Sequence, residues 1–165
     1  MERSGAGVEF GYSEAAGPGA WKTFEAKIDG AMNAIFEVGN IPVKKIPQSV
    51  AFYNNYKKKF GVELESGHGP APSYESVYIL AEAIEQAGTL EPDALVAALE
   101  KTDRMGAMGR IRFGKNHQVV YGQDPKETAL GCVYQWEKPG VRQIVFPEII
   151  AEDKIQLPEW MRPVK

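Results

Sequence analysis

The residues in this chain whose types could do chemistry are two histidines, one cysteine and scattered serines and carboxylates. A metal site would draw on His68, His117 and Cys132, but the histidines lie 117 − 68 = 49 positions apart, which is not a ligand spacing. Ser13 lies in Gly-Tyr-Ser-Glu-Ala and not in the Gly-x-Ser-x-Gly turn that exposes a nucleophile. Cys132 lies in an apolar strand pattern, which is typical of a small core residue. We therefore expect no metal, no cofactor and no catalytic residue.

A loop of small and polar residues, Ser-Gly-His-Gly-Pro-Ala-Pro-Ser at 66–73, leads directly into a predicted helix. Backbone N–H groups in such a loop, together with a helix N-terminus, favour a ligand with a carboxylate or another anionic group. His68, Gly69 and Tyr74 lie at this junction and could add contacts. A loop that only places the helix explains the same residues, so both interpretations stay open.

Three helices are predicted around this loop, over residues 47–60, 72–87 and 92–101. Each begins at a proline, which suits the first helical turn because its missing N–H costs nothing there. The first two end at a glycine that can cap the last turn. The apolar spacing predicts that the middle helix is buried on most sides. The side chains expected to face inwards are Val50, Tyr53, Tyr56 and Phe60 in the first helix, Tyr74, Val77, Tyr78, Ile79, Leu80, Ala81, Ile84 and Ala87 in the second, and Leu95, Val96 and Leu99 in the third.

Strands are predicted on both sides of the helices from alternating apolar residues and from turn signals. The turn at 137–140 makes the last two strands a hairpin. A short helix at 20–26 and an extended tail at 147–165 complete the expectation. The order of helices and strands indicates an α/β fold. The predicted strands cover residues 8–12, 31–38, 108–113, 128–136 and 141–146.

Length and composition are those of one globular domain, with 165 residues of which 44% are hydrophobic and 25% charged. Nineteen Lys and Arg against 22 Asp and Glu give a formal charge of −3, which argues against a nucleic-acid partner. A single cysteine cannot form an intramolecular disulfide. No apolar run approaches the ~20 residues of a membrane span, and Met-Glu-Arg-Ser-Gly at the start is not typical of a signal peptide.

The stretch Pro-Ser-Tyr-Glu-Ser-Val-Tyr-Ile-Leu-Ala-Glu-Ala-Ile-Glu-Gln-Ala-Gly at 72–88 resembles the tyrosine-led helix of type I periplasmic substrate-binding proteins, the leucine/isoleucine/valine-binding family of ABC importers. Other segments resemble the family's neighbouring elements, in the same order. They are its preceding helix at 52–61, its following helix at 92–99, the next strand at 105–114, and its closing hairpin at 133–136 with 141–146.

This resemblance implies part of a two-lobed α/β fold, with 1–40 in the C-terminal lobe, 41–125 as a helical segment of the hinge-linked lobe, and 126–165 as closing hairpin and tail. It implies a non-enzymatic solute-binding component, here a fragment, that captures a small polar ligand such as an amino acid or amide by lobe closure. The implied partners are a small-molecule ligand, the membrane permease of an ABC importer, and either the missing N-terminal lobe or a swapped second chain. The intact protein would be periplasmic or a cell-surface lipoprotein.

Residues 8–15 resemble the strand and loop where family members place an acidic residue against the ligand's ammonium group. This implies that Glu14 binds a cation, with Tyr12 and Ser13 beside it. Gly69 departs from the branched-chain amino-acid binders, which carry an aromatic side chain at about this position. Two other functions stay open: a ligand-sensing domain of a receptor or regulator with the same fold, and a small enzyme with an acid/base pair of Glu14 and His68.

Overall fold

The structure is a computed structural model that describes residues 41–64, 69–138 and 141–156, together with the backbone of 32–35. The predicted strand at 8–12 and the predicted helix at 20–26 lie outside the described residues. Within the described part, no helix is both long enough and apolar enough to cross a lipid bilayer.

Three helices are present, as the sequence predicts, and each begins at a proline. The first has the predicted bounds. The second begins two residues earlier than predicted, because the first of two nearby prolines occupies its first turn. The third ends two residues early, where the backbone continues in i→i−3 hydrogen bonds. The helices are α1 (Pro47–Phe60), α2 (Pro70–Ala87) and α3 (Pro92–Leu99).

The described strands form two sheets. One has the order β1–β6–β7 and is antiparallel throughout. The other has the order β2–β3–β5–β4, with β4 and β5 parallel and the other pairs antiparallel. The strands are β1 (Met32–Ile35), β2 (Asp103–Gly106), β3 (Gly109–Arg112), β4 (Tyr121–Gly122), β5 (Ala129–Leu130), β6 (Cys132–Lys138) and β7 (Val141–Phe146).

The predicted closing hairpin is confirmed as β6–β7, and β7 has the predicted bounds. The strand predicted at 128–136 is wrong as one element, since it divides at Gly131 into β5 and β6, which belong to different sheets. Strand β2 lies outside the strands predicted from alternation, and the segment at 105–114 that resembles a single strand contains the end of β2 and the whole of β3. The tail begins with a turn and is not extended there, because Ile150 and Ala151 both donate backbone N–H bonds to Pro147 O.

The core lies where α1, α2 and both sheets meet, with Ile111, Tyr134 and Ile144 fully buried. Two predicted helix faces are right only in part: Tyr53 and Tyr56 of α1 and Leu99 of α3 are half-buried and pack against the core, as predicted, but other members of these faces do not. In α1 the buried residues are Ser49 and Phe52, whereas Phe60 is 55% exposed. In α3 the buried residue is Ala98, and Val96 is exposed.

The face of α2 that is buried differs from the predicted face. Its buried residues follow one another at four-residue steps, and they are Ala71, Glu75, Ile79 and Ala83. Val77 is 69% exposed, and Tyr74, Tyr78 and Leu80 are also exposed, so the helix is not buried on most sides. Small side chains on the inner face let the helix approach its neighbours closely, and a carboxylate is buried there because it has partners.

Candidate functional site

The site predicted by the sequence is the start of α2, where Gly69 is the N-cap residue. Its φ of 83° belongs to a region that L side chains rarely adopt. Pro70 and Pro72 have no N–H, so among the first three helical residues only Ala71 supplies a backbone donor. The N–H of Ser73 donates to Gly69 O at 2.7 Å. The helix therefore offers few free donors here, and a ligand would rely on side chains and on the preceding loop.

Tyr74 lies in the first turns of α2 and is held between two aromatic rings. Its ring centroid is 4.9 Å from that of Phe52 in α1 and 5.0 Å from that of Tyr78 one turn further along α2. A hydrogen bond to Tyr78 raises the pKa of Tyr74, and burial adds to the effect. Tyr74 is thus a neutral phenol in a fixed orientation.

We call the rings of Phe52, Tyr74 and Tyr78 the aromatic row, and Arg104 in β2 lies at its end. The guanidinium carbon lies 4.7 Å from the centroid of the Tyr78 ring, a cation–π contact. Arg104 also pairs with two carboxylates of α2, those of Glu75 and Glu82. Burial alone would lower the pKa of Arg104, but the bonds to Glu75 and then to Glu82 outweigh it and leave this pKa raised. The arginine therefore links strand β2 to one face of α2.

Glu75 is the centre of this link and is only 2% exposed. One carboxylate oxygen, Oε2, accepts a bond from Arg104 Nε at 2.8 Å. The other, Oε1, accepts the backbone N–H of Ala107 at 2.6 Å. Both oxygens are satisfied, as a buried charge requires. We call Glu75, Arg104 and the Gly106–Ala107 backbone the α2 clamp, because together they fix the first half of α2 to the β2–β3 hairpin.

Gly106 leaves room for this clamp. A Cβ at this position would lie 2.4 to 2.6 Å from the carboxylate atoms of Glu75, closer than any real Cβ contact. We expect Gly106→Ala to lower the free energy of unfolding by about 1 to 3 kcal/mol, the usual cost of overpacking. In a chain that already carries Glu75→Ala, the same change should cost less than about 0.5 kcal/mol, because the clashing carboxylate is gone. Urea unfolding of the four chains of this double-mutant cycle measures the difference, and equal costs in both backgrounds would contradict it.

The structure places two of the predicted site residues, Gly69 and Tyr74, within the first turns of α2. Four others lie outside the described residues, and their roles stay predictions. They are Tyr12, Ser13, Glu14 and His68.

The residues weighed for a metal site do not meet as far as they are described. His117 lies in the loop after β3 with Nε2 3.6 Å from Glu100 Oε1, and Cys132 is buried in β6. In the ranges that the structure describes, no group of three or more His, Cys, Asp or Glu side chains is placed to hold a metal ion.

The sequence analysis missed the α2 clamp. Glu75 and Arg104 are 29 positions apart, so neither helical nor strand spacing joins them. The available signal was the four-residue spacing of Ala71, Glu75, Ile79 and Ala83, which marks a close-packed face once a partner for the glutamate is known.

Comparison with known proteins identifies relatives over most of the chain. A family model described as "Periplasmic binding protein" matches residues 6–123. Among curated proteins, the Leu/Ile/Val-binding protein homolog 8 of Brucella abortus (strain 2308) is 28% identical over 133 residues. The protein of the same name in Brucella melitensis is 29% identical over 133 residues. Each alignment covers 78% of this chain and 31% of the relative, so the chain spans about a third of their length.

Solved structures are similar in fold at low sequence identity. A putative branched-chain amino acid ABC transporter from Silicibacter pomeroyi has a TM-score of 0.72 at 18% identity, over 89% of this chain and 39% of that one. An ABC transporter substrate-binding protein from Desulfitobacterium hafniense in complex with Leu has a TM-score of 0.58 at 20% identity. The match covers 83% of this chain and 34% of that one. The leucine binding protein LivK of Thermotoga maritima has a TM-score of 0.53 at 23% identity. The match covers 78% of this chain and 35% of that one.

Proposed function

The chain belongs to the periplasmic binding protein family, and we propose that it is part of a non-enzymatic solute-binding component of an ABC importer. Its fold is an α/β portion of the type I periplasmic binding fold, as the similar solved structures show. The proposed task is capture of a small polar ligand, an amino acid or an amide, by closure of two lobes around it. The intact protein would work on the periplasmic or outer face of a membrane and deliver the ligand to a permease.

The observation that carries this proposal is the extent of the family match, residues 6–123. That range includes both segments for which we predict ligand contacts, 12–14 and 66–74. Relatives are named for binding Leu, Ile and Val, and one similar structure is a complex with Leu. The proposed ligand is therefore an amino acid, with its ammonium group on Glu14 and its carboxylate near Gly69 and Tyr74.

The α2 clamp and the aromatic row support this proposal because they hold Tyr74 and the end of the 66–74 loop in place. A ligand group that meets a preorganised side chain forfeits less conformational freedom on binding. Exposed apolar side chains on α2, such as Val77 and Leu80, suit a surface that another part of the fold covers. We propose that either the missing lobe or a swapped second chain covers them. The division of the chain at 40 and 125 stays a prediction.

We expect the 165-residue chain alone to bind amino acids weakly, with dissociation constants on the order of 1 mM, since part of a site forfeits contacts and lobe closure. Saturation-transfer NMR with L-leucine, L-valine and L-glutamine detects binding in this range. N-acetylation of the ligand removes the ammonium group and should abolish the signal, and Glu14→Gln should do the same.

Glu91→Gln is the matched control, because Glu91 is an exposed carboxylate in the turn before α3, beyond the opposite end of α2 from Gly69 and Tyr74. Its spectra should equal those of the unmodified chain. The absence of transfer to every amino acid, or an equal signal with Glu14→Gln, would overturn the proposed site. Sub-micromolar binding by the monomeric chain would overturn the expectation that this portion holds only part of it.

A further inference from the structure

The C-terminal end of α1 carries three consecutive lysines, Lys57, Lys58 and Lys59, and all three are exposed. Cations in a last helical turn are favourable because they lie against the negative end of the helix dipole. That effect explains why lysines occur here, but it does not explain the large apolar side chains beside them. We call residues 57–62 the α1 tip.

Two large apolar side chains of the α1 tip are more than half exposed, with Phe60 at 55% and Val62 at 57%. The Phe60 ring nevertheless has a fixed place. Its centroid lies 4.7 Å from that of Tyr56, one turn earlier, and Lys59 Nζ lies 5.4 Å from the Phe60 centroid. Tyr56 in turn packs against the core. The tip therefore presents an aromatic ring that the core supports from one side and a lysine borders on another.

The positive charge of the α1 tip is only partly neutralised within the described ranges. Lys57 pairs with Glu63, whereas Lys58 and Lys59 make no ion pair with any carboxylate that the structure describes. Over residues 57–63, three lysines and one glutamate leave 3 − 1 = 2 positive charges, although the whole chain has a formal charge of −3. The Debye length is about 10 Å at 0.1 M salt, so a surface that approaches the tip experiences mainly this local charge.

Lysines beside a large exposed apolar side chain are typical of proteins that lie on the surface of an anionic bilayer. The ammonium groups attract the headgroups, and the aromatic ring leaves water for the boundary between headgroups and acyl chains. A nucleic acid or an acidic peptide would use the same charge but would leave Phe60 and Val62 in water. The combination of the two kinds of side chain therefore favours a lipid surface.

We propose that the α1 tip is an interaction surface for an anionic phospholipid bilayer. Lys58 and Lys59 lie against the headgroups, and Phe60 and Val62 enter the boundary between headgroups and acyl chains. Binding is weak and reversible, because a few charges and two apolar side chains are far less than a membrane anchor. This surface goes beyond the proposed function and does not depend on an amino-acid site.

Cosedimentation of the 165-residue chain with sucrose-loaded vesicles measures this binding. We expect the chain to bind vesicles of equal parts phosphatidylglycerol and phosphatidylcholine, not to bind vesicles of phosphatidylcholine alone, and to dissociate at high salt. Replacing both Lys58 and Lys59 with glutamine should lower the partition coefficient at least about tenfold, since each lysine near such a surface contributes roughly a factor of five.

The matched control replaces Lys115 and Lys126 with glutamine. Both are exposed lysines in the loops between β3 and β5, so this variant loses the same net charge from positions outside α1. It should change the partition coefficient by less than about twofold, because screening confines the attraction to the surface in contact. Equal losses for the two double variants would show that only the net charge matters, which would overturn the proposal.

Phe60→Ser tests the apolar half of the surface and should lower the partition coefficient at least about threefold. Leu90→Ser is its control, because Leu90 is 71% exposed in the connection between α2 and α3, and it should have no effect. Circular dichroism shows whether each variant is folded. An unchanged coefficient for folded Phe60→Ser would overturn the proposal.

Two further outcomes would contradict a lipid surface. One is the absence of binding to the anionic vesicles, and the other is binding to poly-L-glutamate as tight as binding to the vesicles, which would indicate an acidic partner. Glu14→Gln should leave vesicle binding unchanged, so failure here is distinguishable from failure of the proposed function.

Discussion

Replacing Glu75 with alanine is expected to lower the free energy of unfolding by about 3 to 5 kcal/mol, the usual cost of removing one partner of a buried ion pair. Glu75 is almost fully buried, and its carboxylate is the acceptor for both Arg104 Nε and the N–H of Ala107. The variant leaves these two donors without their acceptor in a place that water reaches poorly. Urea unfolding followed by circular dichroism measures the loss, with an unchanged m-value as evidence that the unfolding transition itself is unaltered.

Glu82→Ala is the matched control for this prediction. Glu82 pairs with the same Arg104 and lies on the same helix, but its side chain is 52% exposed. Water competes with an exposed ion pair, so this variant should cost at most about 1 kcal/mol. Equal losses for the two variants would show that Glu75 contributes only as a surface charge, which would contradict the clamp.

The sequence predicted the helices well because their ends are local signals. Pro47, Gly61 and Gly88 mark helix ends wherever they occur in a suitable pattern, and the bounds of α1 follow from them. The face that α2 buries is not a local property. Apolar spacing favoured Val77 and Tyr78, but the buried face includes Glu75, whose partner Arg104 is far along the chain. A prediction from the spacing of apolar residues treats Glu75 as a surface residue, because it is charged.

The strands also show that a local sequence pattern does not predict which elements are neighbours in the fold. The alternation at 128–136 is continuous in sequence, yet Ala129 pairs with Gly109 in one sheet, whereas Cys132 pairs with Ile35 in the other. The change of sheet at Gly131 depends on which strands are adjacent, and no single segment carries that information. The hairpin β6–β7 was predictable because its two strands are neighbours along the chain and a turn joins them.

The surroundings of Gly69 and Tyr74 and those of Arg142 differ in the same way. Gly69 and Tyr74 could be proposed from sequence because a loop of small residues and a helix start are adjacent there. The cavity that Arg142 lines was not predicted, because its lining comes from the segments before and after α1, from α1 itself, from β7 and from the tail. Arg142 reads as one polar position of an alternating strand, and only the fold shows that it is partly buried beside two aromatic rings.

The second large effect is expected for Gly109→Ala, which should lower the free energy of unfolding by about 3 to 5 kcal/mol from two separate costs. The φ of Gly109 is 96°, which strains any L side chain. A Cβ there would also lie 2.7 Å from Thr128 O and 3.1 Å from Pro125 O, which are backbone atoms that cannot move cheaply. Urea unfolding measures the sum of the two costs.

Gly88→Ala separates these costs, since Gly88 also has a positive φ, 64°, but nothing lies within 4 Å of a Cβ there. It should cost about 1 to 2 kcal/mol, the penalty for a left-handed residue alone. The excess for Gly109→Ala then measures the clash. Because Gly109 pairs with Gly106 at the turn of β2–β3, that clash should also displace the Ala107 N–H from Glu75. The amide of Ala107 should therefore exchange hydrogen faster in Gly109→Ala than in Gly88→Ala, and equal rates would show that the turn does not hold the clamp.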